Sequence, residues 1–193
     1  MLETAPPGLS AQPWFEDSAH YESALVFKLP DSMAGAVERA RAGLSEAIAA
    51  PPQMEPHLTI CYLTRATGAH FAELWARLAG VRWPSVEARV EGFGTFERQG
   101  SIGNLHLRVG PNSALREAHG RALAICLEMP WFIPNSRMGL GYVPHVSVFD
   151  QITGVCPEFV ASALRWEGDP CITLGPARVF GLRIDPILVT ELK

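Results

Sequence analysis

Apolar and polar positions alternate strictly in several short stretches of this chain and recur with helical spacing in others. Leu25, Phe27 and Leu29 alternate with Ala24, Val26 and Lys28 as in a buried strand, which Pro30 closes. Asp31 or Ser32 is then placed to cap a helix, and Val37, Ala40, Leu44, Ala47 and Ile48 keep one helical face up to Pro51. The pattern next predicts a strand over 57–63 and a helix over 69–79, the latter with Phe71, Leu74, Trp75 and Leu78 on one face. Strands follow over about 86–97 and 103–109. In the second of them Leu105, Leu107 and Val109 face one way and Asn104, His106 and Arg108 the other. Pro111-Asn112-Ser113 opens a helix to about Glu128, and an ordered loop from Pro130 to Pro144 leads into a strand over 145–149. A short helix near 158–166 and β-rich stretches near 172–185 and 187–192 end the chain, with a break at Pro186. Residues 1–20 hold Pro6, Pro7, Gly8 and Pro13 and read as a loose arm, which leaves 21–193 as a single domain.

Strand–helix–strand order recurs in both halves, and so does one tetrapeptide. His57-Leu58-Thr59-Ile60 and His145-Val146-Ser147-Val148 both read His-x-(Thr/Ser)-x with apolar residues at x, and both follow a Pro. Strand side chains alternate faces, so each His shares a face with the hydroxyl two residues on, and the apolar pair points to the other. The expected fold is α+β with an internal pseudo-repeat, each half an antiparallel sheet with helices on its outer face. If a pseudo-twofold relates the halves, the two His strands lie across a shared cleft.

The bulk numbers narrow the class. With 48% hydrophobic and 19% charged residues over 193 positions, the chain suits one globular core. A net charge of −4 argues against wrapping long nucleic acid, though not against a local site for one or two phosphates. Cys61, Cys126, Cys156 and Cys171 form no C-x-x-C pair, and the chain shows no signal-peptide core and no long apolar run. They read as reduced thiols in a cytoplasmic protein without a membrane span.

A single His-x-Thr on a strand is commonplace and by itself carries no chemistry. Two copies in matching halves are a more specific signal. A neutral imidazole can take a proton from an attacking oxygen while a protonated one gives a proton to the leaving oxygen. Thr59 and Ser147 can donate hydrogen bonds to non-bridging phosphate oxygens. The scheme needs no metal or cofactor, and two His without a converging acid or thiol pattern make a poor metal site.

The paired motifs resemble those of the two-histidine (2H) phosphoesterase superfamily, which includes bacterial 2'-5' RNA ligase-like proteins and cyclic nucleotide phosphodiesterases. The resemblance spans most of 21–192 in motif and element order. It implies a bilobal α+β fold with a central cleft and phosphodiester chemistry on RNA ends, commonly 2',3'-cyclic phosphates or 2'-5' linkages. It makes His57 and His145 the catalytic pair and Thr59 and Ser147 the phosphate ligands. Two positions depart from the ligase-like branch. Ser147 replaces the usual Thr and keeps the hydroxyl, whereas Asp150 stands where that branch often has Arg. An acid supplies no positive charge to a phosphate, which favours a hydrolase of small or terminal substrates over a ligase. A nucleotide-binding module without turnover is the rival reading.

Secondary candidates come from strand parity. Phe149 shares the parity of His145 and Ser147 and is placed to stack on a base, with core packing the alternative. His106 and Arg108 share a polar strand face that either lines the cleft or meets solvent, and Arg183 has a similar claim. Tyr62 has the opposite parity to His57 and reads as packed, and His20, His70 and His119 read as surface residues. The expected partner is a nucleotide or RNA terminus bound to a monomer, with no membrane.

Overall fold

Eight strands and three helices account for the regular structure of a computed structural model that describes residues 20–46, 48, 50, 53–98, 101–135, 137–150, 152, 164–175, 177–182 and 187–191. In chain order they are β1 (His20–Lys28), α1 (Asp31–Leu44), β2 (His57–Thr67), α2 (Gly68–Ala79), β3 (Val86–Arg98), β4 (Ser101–Val109), α3 (Ser113–Leu127), β5 (His145–Asp150), β6 (Cys171–Leu174), β7 (Ala177–Leu182) and β8 (Ile187–Glu191). One 3₁₀ turn, Gly139–Gly141, precedes β5. The helix expected near 158–166 falls mostly outside the described residues, and Leu164 to Trp166 is irregular.

The strands form one sheet in the order β6-β3-β4-β5-β2-β1-β7-β8, and every described pairing is antiparallel. The mixed helix–strand architecture is the one expected, and its two four-stranded halves join at the β2–β5 seam. On either side of it β1-α1-β2 and β4-α3-β5 share one strand–helix–strand order, and the last strand of each begins with a His motif. Only Leu58 pairs with Val146 across the seam. Continuing that register sets His57 opposite Ser147 and Thr59 opposite His145.

Local chemistry explains the helix ends. Pro30 rather than Asp31 or Ser32 is the residue before α1, and its carbonyl accepts from Met33 and Ala34. Pro fixes the extended entry, and Asp31 sits in the first turn, where a negative charge suits the helix dipole. Asn112 caps α3 by accepting from the Leu115 N–H at 3.0 Å.

The core lies on one face of the sheet. Leu58, Ile60, Val146 and Val148, the dry side of both motifs, are fully buried in it. Burying a side chain of this size contributes about 1.5–3 kcal/mol, and a one-residue slip would turn all four outward, so the register is strongly held. The helices cross over: α1 packs against β5 and α3 against β2. Among the described residues no helix is long and apolar enough to cross a membrane. Cys61, Cys126 and Cys171 are free thiols, and Cys156 lies outside the described residues.

Candidate active site

His57, Thr59, His145 and Ser147 are half-buried on the sheet face opposite the core, each on the side that strand parity assigned. The two rings are held in the same way. His57 Nδ1 lies 2.8 Å from the Glu55 carbonyl and His145 Nδ1 lies 2.8 Å from the Val143 carbonyl. A carbonyl only accepts, so each Nδ1 carries the proton and proton exchange with a ligand falls to Nε2. Each motif thus turns its own upstream backbone into a tautomer lock.

Both imidazoles are held below the ordinary histidine range. Burial is the main cause for His57, and the nearby charges of His145 and Arg41 push the same way against the Glu55 hydrogen bond. For His145 burial again leads; Arg137 lowers it further, while the Val143 hydrogen bond and Asp150 oppose. His145 is thus close enough to lower His57 through its charge.

Beyond the hydroxyl, each motif strand loses its period. Leu25 pairs with Cys61 and Val26 with Thr59, so Ile60 is an extra residue in the β1–β2 ladder. Leu105 pairs with Phe149 and His106 with Ser147, so Val148 is extra in the β4–β5 ladder. A bulge of this kind shifts the parity of the residues after it. Phe149 therefore turns into the main core, 6% exposed, and is no cleft residue. Tyr62 moves the other way, opposite Ala24, and packs on Ala24 and Val26 on the site face. Asp150 likewise comes opposite Asn104.

His106 lies on the site face at 2% exposure, with its ring centroid 5.2 Å from that of His145. Burial pushes it down to about 3, helped by His145, Arg108 and Arg137. Arg108 is exposed and pairs in register with His145. Both need a bare strand beside them: a Cβ on Gly94 would lie 2.7 Å from Arg108 Cγ and 2.9 Å from His106 Nε2. Arg183 lies outside the described residues.

The sequence reading missed four participants. Asn104 Nδ2 donates to Ser147 Oγ at 2.9 Å, and Asn104 Oδ1 of the same side chain accepts from His106 Nδ1 at 2.9 Å. Ser147 Oγ is thereby an acceptor toward Asn104, and its own O–H can turn to an anion. The polar stripe of β4 was the available signal for Asn104. Phe96 stacks on His106 at 4.1 Å and meets His145 edge-on at 4.8 Å, and the Arg137 guanidinium lies 5.1 Å from its ring centre. Nothing local to Phe96 or Arg137 marks them. His119 is the fourth: it is buried rather than on the surface, stacked on Tyr142 at 4.1 Å. His70 stacks on Trp131 at 4.8 Å. Among the described residues no three His, Cys, Asp or Glu side chains cluster as metal ligands would.

Comparison with known proteins places the fold and the family. No curated protein matches the sequence. Among solved structures, one described as a phosphoesterase superposes with a TM-score of 0.66 at 15% identity over 91% of this chain and 97% of that one. E. coli LigT complexed with 3'-AMP gives 0.65 at 16% identity over 91% and 97%. TT0787 of Thermus thermophilus gives 0.53 at 18% identity over 89% and 95%. These likenesses show the fold. The model of the 2'-5' RNA ligase superfamily matches residues 29–171, and with its paired His motifs this chain belongs to that superfamily of two-histidine phosphoesterases.

Proposed function

We propose that the protein is a metal-independent phosphodiesterase acting on 2',3'-cyclic phosphate or 2'-5' linked RNA ends. The observation that carries this reading is the pair of identically locked imidazoles on one sheet face, each with a hydroxyl across the seam. In hydrolysis of a cyclic phosphate, water attacks phosphorus as one Nε2 takes its proton. The bond from phosphorus to one ribose oxygen breaks, and the other ring gives that oxygen a proton. The product is a ribose phosphomonoester, and both rings return to their starting states after proton exchange with solvent. Thr59 and Ser147 donate to the non-bridging oxygens, where charge builds up.

Cations and aromatic surface gather on the His145 side. Asp150 brings no positive charge, but Arg137 and Arg108 stand next to His145 and His106. A cavity of about 550 Å³ opens beside Arg108 and is also lined by Arg165 and Trp166. With Glu91 also in its lining, it brings an aromatic ring and charges of both signs within reach of a nucleoside. The structural relative LigT is known in complexes with 3'-AMP and with phosphate, which supports a nucleotide-sized substrate.

The test is a panel of 2',3'-cyclic mononucleotides and short 2'-5' and 3'-5' oligonucleotides, assayed in excess EDTA with product analysis. Turnover of cyclic or 2'-5' substrates in EDTA is expected. Loss in EDTA with rescue by a divalent ion would refute the mechanism, and binding without turnover would leave a nucleotide-binding module. A finer check uses Asn104. Asn104→Ala is expected to lower kcat by about tenfold, the size of one net hydrogen bond. Asn104→Asp should lose more, because an acid draws the Ser147 O–H toward itself and repels phosphate. Equal activity of wild type and Asn104→Asp would remove this role.

A further inference from the structure

We infer that Arg41, with the His119–Tyr142 pair as its counterpart in the other half, is a positioning element that sets the separation of His57 and His145 through the backbone of the two motifs. The seam needs such an element, because β2 and β5 share a single paired position, Leu58 with Val146. Just beyond it each strand bulges, at Ile60 and at Val148. There the carbonyls of both strands accept from side chains, and in the same pattern on each.

On β5, Arg41 Nε donates to the Val148 carbonyl at 2.7 Å and Nη2 to the Ser147 carbonyl at 3.2 Å. On β2, His119 Nδ1 donates to the Ile60 carbonyl at 2.7 Å and the Tyr142 hydroxyl to the Thr59 carbonyl at 3.0 Å. In both motifs the third and fourth residues are the ones held. Arg41 Nη1 also donates to the Met54 carbonyl at 2.8 Å, on the segment leading into β2. One planar guanidinium thus ties the approach to the first motif to the end of the second. The same nitrogen also meets the Glu38 carboxylate at 2.6 Å.

The origin of each group matters. Arg41 stands on the buried stripe of α1, with Met33 and Val37, yet it bonds β5. His119 stands on the buried stripe of α3, yet it bonds β2. Each half's helix holds the other half's motif, so neither motif can shift without pulling on the opposite helix. His119 is locked in turn, since its Nε2 accepts the Gly139 N–H at 2.8 Å. A planar fork with five N–H donors reaches three carbonyls at once, whereas the ammonium of a Lys, at one point on a flexible stem, does not. For two groups acting on one phosphorus, a misplacement of about 1 Å can cost about 100-fold.

This inference rests on the proposed reading that both rings act on one phosphate, and the test separates the two. Arg41→Lys keeps the cation and loses the fork; Tyr142→Phe removes one hydroxyl and keeps the stack on His119. With circular dichroism confirming the fold, Arg41→Lys is expected to lower kcat by about 10- to 100-fold on a 2',3'-cyclic substrate, with KM nearly unchanged. Tyr142→Phe should show the same split at smaller size. A purely structural role predicts a lower melting temperature with wild-type kcat in the folded fraction, and that result overturns the inference.

The second readout needs no turnover. Inorganic phosphate is titrated while the His57 and His145 ring protons are followed by NMR. In the wild type one midpoint should govern both rings, and in Arg41→Lys the joint response should weaken or split. An unaltered joint response in folded Arg41→Lys overturns the inference, even if no substrate is turned over. If Arg41→Lys does not fold, Tyr142→Phe decides alone: wild-type kcat and an unchanged phosphate response in it overturn the inference.

Discussion

Replacing either His57 or His145 by Ala is expected to lower turnover of a 2',3'-cyclic phosphate by about 10²–10⁴-fold, and replacing both should cost little more. The two rings divide one proton transfer between them, so losing either disables the unit. Both are half-buried on the face away from the core, and the seam is held by Leu58, Val146 and the Arg41 hydrogen bonds, so the variants should stay folded. The measurement is steady-state kinetics of the two single variants and the double variant, with melting curves alongside. Either single variant turning over at near wild-type rate would sink the two-histidine mechanism. Thr59→Ala and Ser147→Ala should cost less, since each removes a charge-stabilising donor and leaves proton transfer intact.

The pH–rate profile of kcat/KM is expected to be bell-shaped with its optimum below about pH 6.5, the ordinary histidine value. A pair of unperturbed imidazoles would instead place the optimum near neutrality. Burial and the surrounding positive charge lower both imidazoles, so at neutral pH the free protein carries both mostly without the catalytic proton. The working state has one proton on the pair. Its population rises as pH falls through the first step of the pair and declines after the second, and both steps are shifted to acid. Arg137→Gln removes a cation that lowers His145, so it should move the profile toward neutrality. An optimum well above about pH 7, or an unmoved profile in Arg137→Gln, would contradict this account.

The same groups limit stability at low pH. The folded-state value of His106 is lowered to about 3, so the unfolded chain binds its proton first. His106 thus contributes stability that is full above its unfolded value near 6.5 and is lost as pH falls toward 3. By about pH 5 that loss is about 2 kcal/mol. His57, His119 and His145 are lowered too and add loss of the same sign. Denaturant melts between about pH 7 and 5 should show it.

Local alternation was legible in the chain alone. Two four-residue motifs on strands put His and hydroxyl on one face and two apolar residues on the other, and the burial of Leu58, Ile60, Val146 and Val148 follows from that period. The recurrence of the motif marked two His strands, and these are neighbours in one sheet as β2 and β5. The period failed at the fourth motif residue, where Ile60 and Val148 bulge, and Phe149 and Tyr62 exchanged faces with what parity expected. Alternation tells which way a strand's side chains point only while the ladder is regular, and a bulge depends on the neighbouring strand. Arg41 and His119 were hidden for a related reason. A basic or polar side chain in an apolar helical stripe looks like a breach of pattern until its acceptor is known, and the Arg41 acceptor on β5 lies 107 residues away. Which backbone carbonyls a buried polar side chain will meet is settled only when the elements pack, and so the partners of Arg41 and His119 could not be read from local pattern.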